Sequence, residues 1–313
     1  MMRLLYSALL CVFLCVAPLA RAADLTGAGA TFPAPLYQKW FQSYEQQRPG
    51  VHFSYQAIGS VAGLAKLRER TVDFAASDIP IADERLETYP TVAGAVVPIY
   101  NLPGFSGDLR FPQQVLAEIY LGKIRKWNDP LLAKANPHAH LPDAEIVPVH
   151  RNDGSGTTYV FTHYLAKISP DWTQQGDTIA WPSGQGAEGS EGVVEMVRQT
   201  PNSIGYVEFI YALHSRLSYG AVRNHAGRYV AADLQSIGTA AATAGEDLSI
   251  LDAPGEDAYP LAAFTYFLVP RDAGSALRDF LVWMLDQGQK QAPALGYTPL
   301  PERIAARERA RLK

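Results

Sequence analysis

Val92-Ala-Gly-Ala-Val-Val-Pro-Ile99 is a nearly continuous apolar run. A run of this length and composition reads as a strand buried on both faces, the kind that lies in a sheet covered by helices. Working outward, Val51, Phe53, Tyr55 and Ala57 alternate with His52, Ser54 and Gln56, and that period of two marks another strand. Val72-Asp-Phe74, Ile146 to Val149, Ile204 to Val207 and Leu261 to Val269 read as further strands. Between them, apolar residues recur at helical spacing: Phe32, Leu36, Tyr37, Trp40, Phe41 and Tyr44, then Val160, Phe161, Tyr164, Leu165 and Ile168, then Leu277, Phe280, Leu281, Met284 and Leu285. Strands alternating with helices predict an α/β architecture with mainly parallel sheets.

The punctuation suggests how the chain divides. Pro98, Asn101, Pro103 and Gly104 break it about a third of the way along, and a second break falls near Pro260. Two lobes joined by paired crossings fit that pattern, with residues 23–98 plus 259–313 in one and 99–258 in the other. Gly238 to Asp257, rich in Ala, Gly, Thr and Asp, reads as a mobile surface excursion. No repeat and no low-complexity linker is visible.

Residues 1–22 read as a secretory signal peptide. Arg3 opens a short basic start, Leu4 to Leu19 is apolar, and Ala20-Arg21-Ala22 supplies a small-x-small cleavage site. Both cysteines, Cys11 and Cys15, lie inside it, each preceded by a leucine where a lipidation signal needs a small residue. Cleavage after Ala22 therefore predicts an unlipidated, soluble, periplasmic chain with no thiol, no disulfide and no cysteine metal ligand. Its stability has to come from a large core. Removing Arg3 and Arg21 leaves 25 basic side chains against 31 acidic ones. That balance argues against nucleic-acid binding, which needs a basic face. It does not exclude a small anion, which answers to the local field.

Three segments place Gly, Ser or Thr where a helix should begin: Thr26-Gly-Ala-Gly-Ala-Thr31-Phe32, Ala57-Ile-Gly59-Ser60 and Asp153-Gly-Ser155-Gly-Thr157. The first turn of a helix has unpaired N–H groups and a partial positive charge, so it attracts anions. Ordinary capping is the better explanation of any one of them alone. Three in one chain favour a shared tetrahedral shell. Arg151 follows an apolar strand just before the third segment, and Asp78 ends Val72-Asp-Phe-Ala-Ala-Ser-Asp78. Each is open to a structural reading as an ion pair or a turn cap. Together they suit an oxyanion that keeps a proton: Arg pairs with a charged oxygen, and Asp accepts from a protonated one. Sulfate carries no proton at neutral pH and would face that carboxylate unpaired.

Leu25-Thr-Gly-Ala-Gly-Ala-Thr-Phe-Pro-Ala-Pro35, Ala57-Ile-Gly-Ser60, Val72-Asp-Phe-Ala-Ala-Ser-Asp78, Leu121-Gly-Lys-Ile124 with Trp127-Asn-Asp129, Arg151-Asn-Asp-Gly-Ser-Gly-Thr157 and Ile204-Gly-Tyr-Val-Glu208 occur in that order. The chain, from about Asp24 to the C-terminal helix, resembles the periplasmic phosphate-binding proteins of bacterial ABC importers. The resemblance implies a two-lobed type II periplasmic binding fold that closes on inorganic phosphate, passes it to an inner-membrane permease and works as a monomer without a cofactor. It further implies that Ala30, Thr31 and Phe32 donate backbone amides, with the Thr31 hydroxyl added, and that Ser60 gives its hydroxyl and amide. Asp78 would accept the phosphate proton. Arg151, steadied by Asp153, would pair with an oxygen, and Ser155, Gly156 and Thr157 would donate from the second lobe. Val61-Ala62 departs from relatives that carry smaller or hydroxyl-bearing residues there, which removes any extra hydroxyl contact.

Competing chemistries are weaker. His150, Asp153 and Ser155 lie together, but the Gly-x-Ser-x-Gly elbow is missing and a hydrolytic triad gathers residues from distant parts of a chain. Gly184-Gln-Gly-Ala-Glu-Gly189 fits a dinucleotide fingerprint but follows Trp181-Pro-Ser183 instead of a strand. There is no P-loop and no His-Glu-x-x-His pair. The expected protein is a receptor and not an enzyme, and a phosphate sensor or surface adhesin on the same fold is the alternative.

Overall fold

Strand β4, Leu86–Asn101, runs sixteen residues without interruption in the computed structural model, which describes residues 23–105 and 107–312. The expected signal peptide, its cleavage site and both cysteines lie outside the described residues. β4 serves two neighbours in turn. Leu86 to Ala95 pairs with the strand Ala262–Pro270, and Val96 to Asn101 pairs with Ser203–Glu208, both antiparallel. The expected break at Pro98 is absent. Pro98 sits inside the strand opposite Tyr206, and its carbonyl accepts the Gly220 N–H at 3.0 Å.

With β1 (Ala23–Gly29), β2 (Val51–Ala57) and β3 (Phe74–Ser77), the order across the sheet is β2, β1, β3, Ala262–Pro270, β4, Ser203–Glu208, Val147–Arg151, Gln185–Ala187. Both flanks are parallel, as expected: β1 with β2 and β3, and Val147–Arg151 with its two neighbours. The centre is antiparallel because β4 and Ala262–Pro270 run past each other in opposite directions. β3 begins two residues later than the sequence pattern suggests, since Asp73 turns back to bond the Thr26 amide and hydroxyl.

Helices cover the sheet and carry its aromatic core. Helix α1, Ala34–Gln47, buries Leu36, Tyr37, Trp40, Phe41 and Tyr44, the stripe that its spacing predicts. Phe41 stacks on Phe53 at 4.5 Å between ring centres, and Phe74 stacks on Phe267 at 4.6 Å. A second aromatic group fills the opposite flank, where Phe161 stacks on Tyr206 at 4.2 Å. Offset stacking of this kind adds about 0.5–1.5 kcal/mol per pair beyond area burial.

Residues 238–257 are only in part the surface excursion that their composition suggests. The helix Leu234–Ala242 takes up their first residues, and Ala240, Ala241, Ala244, Ile250 and Ala253 are buried, while Gly245 to Asp247 and Pro254 to Asp257 are exposed. An Asp233–Ser236 capping box starts this helix, and small residues let it approach Ala262–Pro270 and Thr298–Pro299 closely. Among the described residues no helix is long and apolar enough to cross a membrane.

Candidate functional site

Four chain segments end at one point between the two flanks of the sheet. Gly59 caps helix α2, Ser60–Arg68, with φ of 90°, a conformation that favours glycine. A Cβ there would also stand 2.6 Å from the Gly154 carbonyl oxygen. Ser60, fully buried, accepts the Asp78 amide at 3.2 Å through its hydroxyl oxygen, so its proton stays free to donate. Opposite, Ser155 caps the helix Gly156–Ile168 by accepting the Thr158 amide at 3.1 Å. The two helix starts touch. A Cβ on Gly156 would lie 2.4 Å from the Ser60 hydroxyl oxygen and 2.7 Å from the Asp78 Cβ.

The backbone donors sort themselves by who already uses them. The amides of Thr31, Phe32, Gly156 and Thr157 have no protein acceptor among the described residues, as expected of donors aimed at a ligand. Ala30 does not belong with them. Its N–H is donated to the Ala76 carbonyl at 2.9 Å, which extends the β1–β3 ladder by one residue. The expected amide contact from Ala30 is therefore corrected: its donor is spent. The Ser155 amide is likewise given to Asp177 at 3.1 Å, leaving that residue its hydroxyl.

Arg151 ends its strand with 3% exposure and is the cation of the site. Its Nε donates to Asp153 Oδ1 at 2.6 Å, its Nη2 to Asp153 Oδ2, and its Nη1 to the Ser190 hydroxyl at 3.2 Å. A guanidinium has five N–H donors, so two remain without a protein acceptor among the described residues. Burial works against its charge, but Asp153 and Glu208 more than compensate and raise its affinity for the proton. Asp153 feels the converse: burial raises its carboxyl, and the Arg151 bonds outweigh that and hold it below the ordinary range.

Asp78 is 7% exposed, and its Oδ1 is buried with no protein partner among the described residues. Burial and the negative charge of Glu208 push its carboxyl up to about 7, against smaller opposing effects from Thr265 and Arg151. An unpartnered buried carboxyl oxygen costs on the order of 1–3 kcal/mol, which a donor on a ligand would recover.

Sequence reasoning missed Glu208 and Ser190. Glu208, 3% exposed, accepts the Thr157 hydroxyl on Oε1 and the Ser190 hydroxyl on Oε2 at 2.7 Å. The Thr31 hydroxyl meets Ser190 at 2.8 Å. Ser190 opens a fourth helix, Gly189–Gln199, and Gly189 donates its amide to Asp153 at 3.1 Å. The sequence signal is Gly189-Ser190-Glu191, a small-polar helix start that overlaps the dinucleotide-like glycine pattern before it. The hydrolase alternative finds no support: His150 stacks on Trp181 at 4.8 Å and its ring nitrogen meets the Arg151 carbonyl, while Ser155 caps its own helix. Among the described residues no group of His, Cys, Asp and Glu could hold a metal ion.

Two sheet flanks with helix starts converging between them, around one buried arginine and one orphaned carboxylate, define a periplasmic-type substrate-binding protein. The sequence matches the PBP superfamily domain over residues 17–287. It is 41% identical to the phosphate-binding protein PstS of Pasteurella multocida, covering 94% of this chain and 91% of that one, and 37% identical to PstS of Methanocaldococcus jannaschii, covering 88% and 82%. The chain belongs to this PstS family. In structure it is similar to the phosphate-binding protein of Stenotrophomonas maltophilia, with a TM-score of 0.70 at 19% identity, covering 93% of this chain and 94% of that one. At that identity the likeness speaks for the fold.

Proposed function

We propose that the protein captures inorganic phosphate and delivers it to an ABC-type importer, binding the anion without turnover. The carrying observation is the convergence of unspent donors on Arg151 and Asp78. Thr31, Phe32, Gly156 and Thr157 supply amides, Ser60 and Ser155 supply hydroxyls, and the two remaining Arg151 N–H groups pair with a charged oxygen. Asp78 accepts the phosphate proton on the oxygen that has no protein partner. Charge-assisted bonds of this kind are individually stronger than neutral ones. The relatives, named for phosphate binding and PstS, favour transport over a sensor or adhesin role. The protein is a receptor and not an enzyme.

Action in the periplasm as a monomer, release by cleavage after Ala22 and docking on an inner-membrane permease belong to the same proposal. So do two lobes that close at a hinge, residues 23–98 plus 259–313 and residues 99–258. The packing of Leu234–Ala242 on Ala262–Pro270, β4 and Thr298–Pro299 supports moving the return crossing to just before that helix.

Calorimetric titration of phosphate-stripped protein tests the reading. One phosphate should bind per chain with micromolar affinity or better, and sulfate at pH 8 should give no heat. Absence of phosphate binding would defeat it. A second test uses the touching helix starts. Gly156→Ala inserts a methyl group where Ser60 and Asp78 already stand, so it should prop the lobes apart. Small-angle scattering should show wild type contracting on phosphate addition and the variant failing to do so. Equal contraction would remove this contact from closure.

A further inference from the structure

Three consecutive carbonyls, those of Ala30, Thr31 and Phe32, each accept a tyrosine hydroxyl, and the three tyrosines come from three separate parts of the chain. Tyr55 on β2 donates to the Ala30 oxygen at 2.8 Å. Tyr211, on the helix Phe209–Ser215, donates to the Thr31 oxygen at 2.9 Å, and Tyr297 donates to the Phe32 oxygen at 2.7 Å. A trans peptide points its carbonyl and the next residue's N–H in opposite directions. Holding the Ala30 carbonyl therefore aims the Thr31 amide, and holding the Thr31 carbonyl aims the Phe32 amide. Holding the Phe32 carbonyl aims nothing, because residue 33 is proline and has no N–H.

We propose that Tyr55 and Tyr211 are positioning residues for the bound anion, fixing the peptide planes that turn the Thr31 and Phe32 amides into the cleft. The inference rests on the phosphate reading above. The three tyrosines are not equivalent in this role. Among the described residues Tyr55 is the sole partner of the Ala30 carbonyl, whereas the Thr31 carbonyl also takes the Ala34 amide at 3.2 Å. Tyr211 follows Glu208 closely in the chain and reaches from the flank of Ser203–Glu208 to the flank of β1, so its bond also ties the two sides together. Burial raises all three phenols above their ordinary value, which keeps them protonated and donating.

A plainer role is the satisfaction of buried carbonyls, which almost every folded protein must achieve. That role predicts equal treatment of all three residues. Tyr→Phe at 55, 211 and 297 removes only the hydroxyl, and each protein is compared by unfolding of the stripped form, phosphate affinity and phosphate dissociation rate. All three should lose similar stability. Tyr55→Phe should weaken phosphate binding about tenfold, the scale of one lost net hydrogen bond, and Tyr297→Phe by no more than about twofold. Tyr211→Phe should fall between them and act mainly by faster dissociation. In amide spectra, the downfield shift of the Thr31 N–H on phosphate addition should shrink in Tyr55→Phe while that of Phe32 is kept. Should Tyr55→Phe fail to fold, Tyr211→Phe carries the same comparison through the Phe32 amide.

Equal affinity losses at all three positions, or unchanged affinity and an unchanged Thr31 shift in Tyr55→Phe, would overturn the inference and leave the phosphate reading standing. Wild type that binds no phosphate would remove both, and that result is read before any variant is compared.

Discussion

Arg151→Ala should weaken phosphate binding by about 2–5 kcal/mol, the usual loss on truncating one partner of a buried, hydrogen-bonded charge pair. The expectation follows from what the guanidinium does at once. It neutralises Asp153 through two bonds, holds Ser190 through a third, and has two N–H groups left over for the proposed anion. Without it, Asp153 and Glu208 face a dianion with no cation between them, so repulsion adds to the lost bonds. Arg151→Lys should recover only part, because a point charge cannot hold Asp153 in a fork and reach the anion as well. Calorimetry on phosphate-stripped protein separates these cases. The lysine variant guards against misfolding: it retains the buried charge, so an affinity between wild type and alanine in a stably folded protein locates the defect at the site. Unchanged affinity in Arg151→Ala would remove Arg151 from the anion's contacts.

What the sequence made legible was local. Arg151, Asp153, Ser155, Gly156 and Thr157 fall within seven residues that pass from a strand end into a helix start, so their proximity is guaranteed by the chain. Asp78 was readable for a similar reason, sitting one residue past a short buried strand. β2 was legible in its alternation, and β4, Val147–Arg151, Ser203–Glu208 and Ala262–Pro270 in their apolar runs, whereas β1 and Gln185–Ala187 show neither pattern and are not legible as strands.

The parts that stayed hidden depend on distant pairing. Thr31 meets Ser190 across 159 residues, and Tyr297 meets Phe32 across 265. No periodicity carries information over such spans. Ala30 was misread because glycine-rich loops resemble one another, and only the register of β1 on β3 decides which amide is spent on the ladder. Pro98 was misread for a related reason. Proline breaks a strand only where its N–H is needed, and here Pro98 stays paired opposite Tyr206 with its carbonyl accepting the Gly220 N–H. Glu208 sits in a motif legible in the sequence, but its carboxylate gains a task only when Thr157 and Ser190 are folded against it.

Asp78→Asn should retain phosphate binding to within about tenfold, the scale of one hydrogen bond, while losing the rejection of sulfate. The argument turns on which protonation state faces the ligand. Asp78 is pushed up to about 7 by its burial and by Glu208, from an ordinary value of 3.8. Above that point it is ionised, accepts the proton of hydrogen phosphate and repels a bare oxyanion. Below it the carboxyl carries its own proton and can donate to an oxygen that has none. Sulfate should therefore compete with labelled phosphate better as pH falls from 8, by up to about tenfold per unit above 7, and level off below 6. Asn at 78 cannot titrate, so its sulfate competition should be strong and flat across pH 5 to 8. The same shift has a sign for stability. Between 3.8 and about 7 the folded, ligand-free protein holds a proton that the unfolded chain has lost. This residue's contribution to stability therefore falls as pH rises through that window and is absent from the Asn variant. Asp78→Ala should lose more phosphate affinity than Asp78→Asn, because the ligand's hydroxyl then has no acceptor. Equal sulfate rejection by wild type and Asp78→Asn, or a pH-independent rejection by wild type, would end the proton-acceptor role even with Asp78 lining the cleft.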